Sequence, residues 1–299
     1  MARLAGVSNC WTKGPSLPWR LQRLSRIYVC LNSKRGFKMS EPSGFIQVQR
    51  EGAVGAIVLA RPERRNALKS VMYGEIADAI RSFQADDSIN AIVIRGEGRD
   101  FCAGNDISDF DAFGKVVEKT GLDPQSIVTR KTPSIDLVYV LMELDRPIIA
   151  CVQGNAVGFG ATMLLHCDVV VAEPDAKLRY PFVDLAMVPE AGSSLLMRER
   201  LGYLKAAEIL FNARTVSAEE GMALGLISEI VPPGASAARG AEIAAAFAQK
   251  PPKALRATKR LMMRDYEALG ERVAEEFRVI AERTSSPEAR AVFARMLKK

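Results

Sequence analysis

The sequence predicts an α/β fold whose strands are mostly buried. Apolar runs of strand length, such as Val169–Ala172, alternate along residues 45–231 with stretches of helical spacing, such as Lys69–Phe83. The chain has 299 residues, of which 48% are hydrophobic, so it can bury a large core without disulfides or a structural metal. We therefore expect one large domain or two small ones, with helices packed on a mainly buried sheet.

The first 38 residues have the composition of a separate segment. They contain eight Lys or Arg residues and no acid, so the total charge of +6 leaves −2 for residues 39–299. Three interpretations stay open: an organelle transit peptide, residues upstream of a true start at Met39, or a disordered basic tail. We expect removal of residues 1–38 to leave the fold intact. Cytoplasmic location would follow from a start at Met39, and mitochondrial or peroxisomal location from a eukaryotic source.

The elements of the core follow the basic segment in a regular order. Phe45–Arg50 alternates apolar and polar residues and Val54–Ala60 is apolar, which is typical of a hairpin. Helical spacing returns three times and buried-type strands three times. These elements are, in chain order, Lys69–Phe83, Ala91–Arg95, Ile135–Leu144, Pro147–Val152, Met163–Cys167 and Val169–Ala172. The polar segment Gly114–Pro133 has weak periodicity and could form a lid over a site.

The last third of the sequence is predominantly helical. Ser217–Glu220 has the pattern of a capping box at a helix start, and Leu226–Val231 is a last short strand. Residues 235–299 are rich in Ala, Arg and Glu and predict three or four amphipathic helices, a region suited to packing or assembly. We therefore expect a core over residues 39–234 and a helical region after it.

Composition also excludes several classes of protein. The five cysteines show no CxxC or CxxH spacing, and His166 is the single histidine, so a disulfide framework or a multi-histidine metal site is not expected. No apolar run reaches the roughly 18 residues that a membrane helix needs. Because the excess of positive charge lies in the first 38 residues, nucleic-acid binding by the core is not expected either. His166 is best interpreted as a hydrogen-bonded core residue.

Two glycine-containing loops carry the signal for chemistry. Phe101–Asp106 follows the strand that ends near Arg95, and Gly154–Gly160 follows the strand that ends at Val152. Each loop precedes a helix, where backbone N–H groups lack intrahelical partners. Two such loops that face each other can place two N–H donors on one oxygen, as in an oxyanion hole. Glycines that only make tight turns are the alternative.

Four segments together resemble the crotonase (enoyl-CoA hydratase/isomerase) superfamily. They are Arg61–Leu68, Phe101–Asp106, Gly154–Asp168 and Pro181–Ser194, in the order and spacing of that family, and the likeness extends from about Phe45 to the end of the chain. The resemblance implies a crotonase fold, in which repeated ββα units form a spiral core and a C-terminal helical region serves assembly. It also implies an acyl-CoA thioester substrate, no separate cofactor and no metal. A homotrimer or hexamer is the implied assembly.

The resemblance implies that two backbone donors bind the thioester oxygen, the N–H groups of Asn105 and Phe159. The two glutamates of the family's hydratases fall here on Thr162 and Phe182, whereas Glu190 matches the single acid of its Δ3,Δ2-enoyl-CoA isomerases. One carboxylate can remove a proton from C2 and return it at C4. The sequence therefore predicts an isomerase of fatty acid β-oxidation. Asp184 is a candidate for tuning the pKa of Glu190.

Other residues are expected beside the substrate by the same resemblance. They are Arg61, Arg64, Arg65, Ala103, Gly104, Asp106, Gly158, Gly160, Thr162 and Phe182. The three arginines suit the CoA phosphates, although a solvated basic turn is the alternative, and Asp106 suits a helix cap better than a base. Three other functions stay open: a divergent hydratase, another acyl-CoA thioester enzyme, and a non-catalytic scaffold or RNA-binding member of the superfamily.

Overall fold

The computed structural model of the protein describes residues 43–109, 121, 132–263 and 265–296. The basic segment 1–38 lies outside the described residues, as does most of the predicted lid. Among the described residues, no helix combines the length and apolarity that crossing a membrane requires.

A six-stranded sheet forms the centre of the fold, in the order β1-β2-β3-β4-β6-β9. Its strands are β1 (Ile46–Glu51), β2 (Val54–Leu59), β3 (Ala91–Gly96), β4 (Ile148–Val152), β6 (Val169–Ala172) and β9 (Glu229–Ile230). The first pair is the predicted antiparallel hairpin, and each later pair is parallel. Parallel strands need crossovers, which the intervening helices supply, and both faces of such a sheet become covered.

The two faces of this sheet pack against different partners. Ile92, Ile94 and Ala150 belong to the main hydrophobic core, whereas their neighbours Val93 and Ile149 belong to a smaller cluster on the other face. Side chains alternate between faces along a strand, so covering both faces makes these strands continuously apolar in sequence. Burial on both faces explains why these strands appear in the sequence as unbroken apolar runs and not as an alternation of apolar and polar residues.

Helices α1 (Ser70–Ala85) and α2 (Pro133–Glu143) supply the largest buried surfaces of the main core. A second sheet of three short strands follows on, in the order β5-β7-β8. These strands are β5 (Asn155–Val157), β7 (Lys177–Arg179) and β8 (Thr215–Ser217). Strand β4 is followed within three residues by β5, which leads into the short helix α3 (Phe159–Thr162). This succession is one of the expected ββα units.

The chain after Gly192 is predominantly helical, as predicted. Its helices are α4 (Ser193–Leu201), α5 (Tyr203–Asn212), α6 (Ala218–Ala223), α7 (Ser236–Ala248), α8 (Pro252–Met262), α9 (Tyr266–Thr284) and α10 (Pro287–Met296). Helix α7 covers the second face of the large sheet, where an added Cβ at Gly240 would lie 2.2 Å from the Cys151 Sγ. Helices α9 and α10 instead border the cavities described below.

Most predicted elements are confirmed, with two local differences. The predicted helix Met163–Cys167 is a 3₁₀ turn, Met163–His166, that continues α3. The predicted strand Leu226–Val231 shrinks to Glu229–Ile230, because the N–H groups of Leu226 and Ile227 bond to the Gly221 carbonyl at the end of α6. The predicted helix start is confirmed, because the Ser217 Oγ accepts the N–H of Glu220, but the Glu220 carboxylate pairs with Arg214 and does not complete the capping box.

Candidate active site

The first glycine loop runs beside the segment that precedes α1. The Leu68 N–H donates to the Gly104 carbonyl over 2.8 Å, and the Asp106 N–H donates to the Leu68 carbonyl over 2.9 Å. Successive N–H groups of an extended chain point to opposite sides, so the N–H of Asn105 points away from Leu68. No acceptor within the described part of the chain takes this N–H. The Asn105 N–H is therefore available to a ligand.

The second glycine loop leads into α3, and Gly158 is the N-cap residue directly before that helix. The Gly158 carbonyl accepts the N–H groups of Ala161 and Thr162, the first bonds of the helix. Phe159 is the first helical residue, and a residue at this position has no intrahelical acceptor for its N–H. Like that of Asn105, its N–H has no acceptor among the described residues.

The two loops touch through their glycines. An added Cβ at Gly104 would lie 2.6 Å from the Val157 carbonyl oxygen and 3.6 Å from the Gly158 Cα. Both glycines also have positive φ angles, +86° and +54°, which residues other than glycine rarely adopt. The N–H groups that follow each glycine, those of Asn105 and Phe159, therefore lie on adjoining stretches of backbone. This arrangement suits an oxyanion hole.

Glu190 lies with Ala103, Gly104, Asn105 and Gly158 in the wall of one cavity of about 490 Å³. The Glu190 side chain is 6% exposed. Burial raises the pKa of Glu190 to about 7, the Asn105 amide opposes this rise, and the charge of Glu276 adds to it. The Asn105 Nδ2 is 3.5 Å from the Glu190 Oε2. A carboxyl with a pKa near neutrality can both accept and return a proton at physiological pH.

The turn after Glu190 is fixed from two sides. Ala191 and Gly192 have φ angles of +59° and +74°, and alanine rarely adopts such a conformation. The His166 Nε2 is 2.8 Å from the Ala191 carbonyl oxygen, which confirms the predicted hydrogen-bonded histidine. The Glu276 carboxylate on α9 accepts the N–H of Gly192 over 2.6 Å and that of Ser194 over 2.9 Å. The turn therefore holds Glu190 in one position.

Asp184 does not act on Glu190 as the sequence suggested. Its carboxylate is paired with the Arg179 guanidinium over 2.8 Å, and the acid that raises the pKa of Glu190 is Glu276. Asp184 lies six residues from Glu190 in sequence, which suggested proximity, but the pairing with Arg179 neutralises it.

A second cavity, of about 250 Å³, also reaches Glu190 and Asn105. Its other walls are mainly apolar and come from α1, α2 and α9, including Tyr73, Ile135 and Phe277. Ile280 borders both cavities, as do Asn105 and Glu190. Glu190 therefore lies where the two cavities meet. An extended ligand that occupied both would pass the carboxylate.

The predicted substrate contacts divide into two groups. Ala103, Gly104, Asn105, Gly158 and Phe182 border the first cavity, as expected. Gly160 and Thr162 line neither cavity, and their role as substrate contacts stays a prediction. An added Cβ at Gly160 would lie 2.5 Å from the Cys102 carbonyl oxygen, and the buried Thr162 Oγ1 donates to the Phe159 carbonyl. Through these contacts both residues hold the second loop in place.

The three arginines of the basic turn, Arg61, Arg64 and Arg65, differ in burial. The Arg61 guanidinium is 7% exposed and is paired with Asp106 over 2.7 Å, so a CoA phosphate would have to compete with this carboxylate. Asp106 accepts the N–H of Ser108 as well, as the expected helix cap does, and the contacts of Arg61 and Asp106 with substrate stay predictions. Arg64 and Arg65 are exposed and stay candidates for a phosphate contact, although the Arg65 Nε is 3.8 Å from the Asp100 Oδ2.

Two functional neighbours were missed by the sequence. Glu276 holds the turn after Glu190, and the Tyr73 hydroxyl donates to the Asn105 Oδ1. Both belong to amphipathic helices, where a glutamate usually faces solvent and a tyrosine packs in the core. Among the described residues, no group of three or more His, Cys, Asp or Glu side chains is arranged to hold a metal ion.

Comparison with known proteins agrees with this fold. The model of the enoyl-CoA hydratase/isomerase family matches residues 49–294. Human enoyl-CoA delta isomerase 2 is 33% identical over 244 residues, 81% of this chain, which spans 60% of that longer enzyme. Enoyl-CoA hydratase ACTT3 of Alternaria alternata is 34% identical over 61% of this chain and 59% of its own length. The structure of Pseudomonas aeruginosa OdaA superposes with a TM-score of 0.78 at 34% identity, covering 86% of this chain and 100% of OdaA.

Proposed function

Because this chain belongs to the enoyl-CoA hydratase/isomerase family, we propose that it converts 3-enoyl-CoA thioesters to trans-2-enoyl-CoA thioesters with Glu190 as its proton carrier. This reaction serves the oxidation of unsaturated fatty acids. The relatives include both isomerases and hydratases, so their names alone do not choose the reaction. The observation that carries the proposal is one buried carboxyl at the junction of the two cavities, which no cation among the described residues pairs with.

The first step removes a proton from the substrate. The Glu190 carboxylate takes a proton from C2, and the C–H electron pair forms the C1–C2 double bond of a dienolate. Negative charge moves to the thioester oxygen, where the N–H groups of Asn105 and Phe159 would donate. Each such preorganised donor contributes on the order of 3–4 kcal/mol at comparable sites.

The second step returns the same proton. The electron pair of the C3–C4 double bond takes the proton from Glu190 at C4, and the enolate electrons form the C2–C3 double bond. Glu190 is again a carboxylate, and no water is consumed. A pKa of about 7 suits both directions, because neither the acid nor the base form is strongly disfavoured near neutral pH.

Hydration would need a second proton carrier to position and activate water. Thr162 is buried and bonded within its own helix, and Phe182 presents an aromatic ring to the first cavity. The other acids that border the two cavities, Asp109 and Asp184, are engaged by the Ser70 N–H and by Arg179. This environment supports isomerase chemistry over hydratase chemistry.

The test incubates the purified protein separately with 3-hexenoyl-CoA and with crotonyl-CoA and identifies the products. We expect isomerisation of the first and slow hydration of the second. Glu190→Gln should fold and bind the thioester but lose roughly 100- to 10,000-fold in turnover. The matched control is Glu242→Gln, on the exposed face of α7, which should keep full turnover. Retention of most activity by Glu190→Gln, or hydration as fast as isomerisation, would contradict the proposal.

A further inference from the structure

We propose that Tyr73 is a positioning residue that links the two halves of the oxyanion hole to Glu190. The inference rests on the proposed function, because it assigns a role within that site. Tyr73 belongs to α1, is 3% exposed, and contacts both residues whose N–H groups form the hole. Neither the sequence motifs nor the reaction assigned it a part.

The ring of Tyr73 fixes the second loop. It meets the Phe159 ring edge to face, with the ring centroids 4.8 Å apart and the planes at 74°. Aromatic pairs of this geometry contribute about 0.5–1.5 kcal/mol beyond burial. Because Phe159 is the first residue of α3, holding its ring restrains the orientation of its backbone N–H.

The hydroxyl of Tyr73 fixes the first loop. It donates to the Asn105 Oδ1, which leaves the Asn105 Nδ2 directed at the Glu190 Oε2 over 3.5 Å. The opposite amide orientation would place Oδ1 against the carboxylate, where two acceptors repel each other. Tyr73 thus selects the amide orientation that supports the ionised base. Catalytic hydrogen bonds that are long in a free enzyme often shorten when substrate is bound.

The influence of Tyr73 on Glu190 runs through Asn105. The hydrogen bond from Asn105 lowers the pKa of Glu190, whereas burial and the charge of Glu276 on α9 raise it. Burial also raises the pKa of the Tyr73 hydroxyl well above its ordinary value, so the hydroxyl is neutral at working pH. Removing it changes no charge at the site. Any change in Glu190 must then arise from the freed amide.

Other charged groups that face the cavities can also change the pKa of Glu190, so a test of Tyr73 must leave them unchanged. They are Glu276, which acts on Glu190, the Arg179–Asp184 pair and Arg295 at the first cavity, and Asp109 at the second. None of them contacts the Tyr73 hydroxyl. Removing that hydroxyl therefore leaves their charges in place.

The experiment compares Tyr73→Phe, Asn105→Leu and the double variant with wild type. Asn105→Leu keeps the backbone N–H and removes the amide. The ionisation of Glu190 is followed in the ligand-free protein by infrared difference spectra of the carboxyl region, assigned with Glu190→Gln. Isomerase kcat and KM are measured on 3-hexenoyl-CoA. The control is Tyr139→Phe, which removes a hydroxyl on α2 that donates to the Gly270 carbonyl, away from both cavities.

We expect Tyr73→Phe and Asn105→Leu each to raise the pKa of Glu190 and to lower kcat about tenfold, with KM nearly unchanged. The double variant should add little to either single one. Tyr139→Phe should change neither quantity. Tyr73→Phe that lowers the melting temperature but leaves the Glu190 titration and kcat unchanged would overturn the proposal. If wild type fails to isomerise 3-hexenoyl-CoA, the proposed function fails, while the titration still decides the role of Tyr73.

Discussion

Glu190→Gln should have opposite effects on activity and on stability, and its effect on stability should depend on pH. The carboxyl has a pKa of about 7 in the folded protein against an ordinary value of 4.5. Between these values the folded state keeps the proton and the unfolded state releases it, so this group's contribution to the free energy of unfolding falls as pH rises. Above pH 7 the full cost of burying the charge is present.

The size of this cost follows from the pKa difference. At about 1.4 kcal/mol per pKa unit, a rise from 4.5 to about 7 corresponds to about 3 kcal/mol. Gln has nearly the same volume and carries no charge, so it removes the cost. We expect Glu190→Gln and wild type to have similar stability at pH 5. At pH 8.5 the variant should be more stable by about 3 kcal/mol.

The assay is urea unfolding at both pH values, with equal protein concentrations because assembly also contributes to stability. Glu242→Gln serves as the control, since its side chain is 67% exposed and should give no gain at pH 8.5. A gain of equal size at both pH values would show that Gln packs better and that burial of charge is not the cause. A loss at pH 8.5 would refute the reasoning.

Three further predictions concern the loops, the basic turn and assembly. Gly104→Ala should lower kcat/KM about 100-fold or more, because the added Cβ would lie 2.6 Å from the Val157 oxygen; Gly52→Ala, which has a similar φ in open space, should keep full activity in the same assay. Arg61→Met should lower the free energy of unfolding by about 2 kcal/mol, because Asp106 loses its cation and keeps only the bonds from Ser108, whereas Arg64→Met should change only the KM for the thioester. Light scattering at micromolar concentration should give a trimer or a dimer of trimers. Leu261→Glu should reduce that mass if α8, where Leu261 is 88% exposed, lies in the interface.

The sequence could predict the parts of the site that depend on local backbone. The two glycine loops follow from the local pattern, and the resemblance to the family then assigned the N–H groups of Asn105 and Phe159 and the carboxyl of Glu190. Such features are set within a few residues, so spacing along the chain reveals them. The order of strands and helices was predictable for the same reason, because strands β3 and β4 are buried on both faces and helices such as α1 on one.

The missed parts depend on contacts between distant residues. Tyr73 is separated from Asn105 by 32 residues, and Glu276 from Gly192 by 84. A tyrosine on the buried side of a helix has the same pattern whether it packs or positions. Arg61 shows the converse: a charged residue in a turn usually faces water, but this guanidinium is buried because it pairs with Asp106, 45 residues away.

The Gly104–Gly158 contact has a consequence for how this site can change over generations. Because the proposed donors for the thioester oxygen are main-chain groups, no single replacement other than proline deletes them, and most substitutions should be tolerated less well at the two glycines. The side chains at 105 and 159 can therefore serve other roles. Here Asn105 contacts the Glu190 carboxyl, and Phe159 packs against the Tyr73 ring. A library randomised at these two positions should retain enolate stabilisation broadly while varying where the proton is delivered. One randomised at 104 and 158 should yield almost no functional clones.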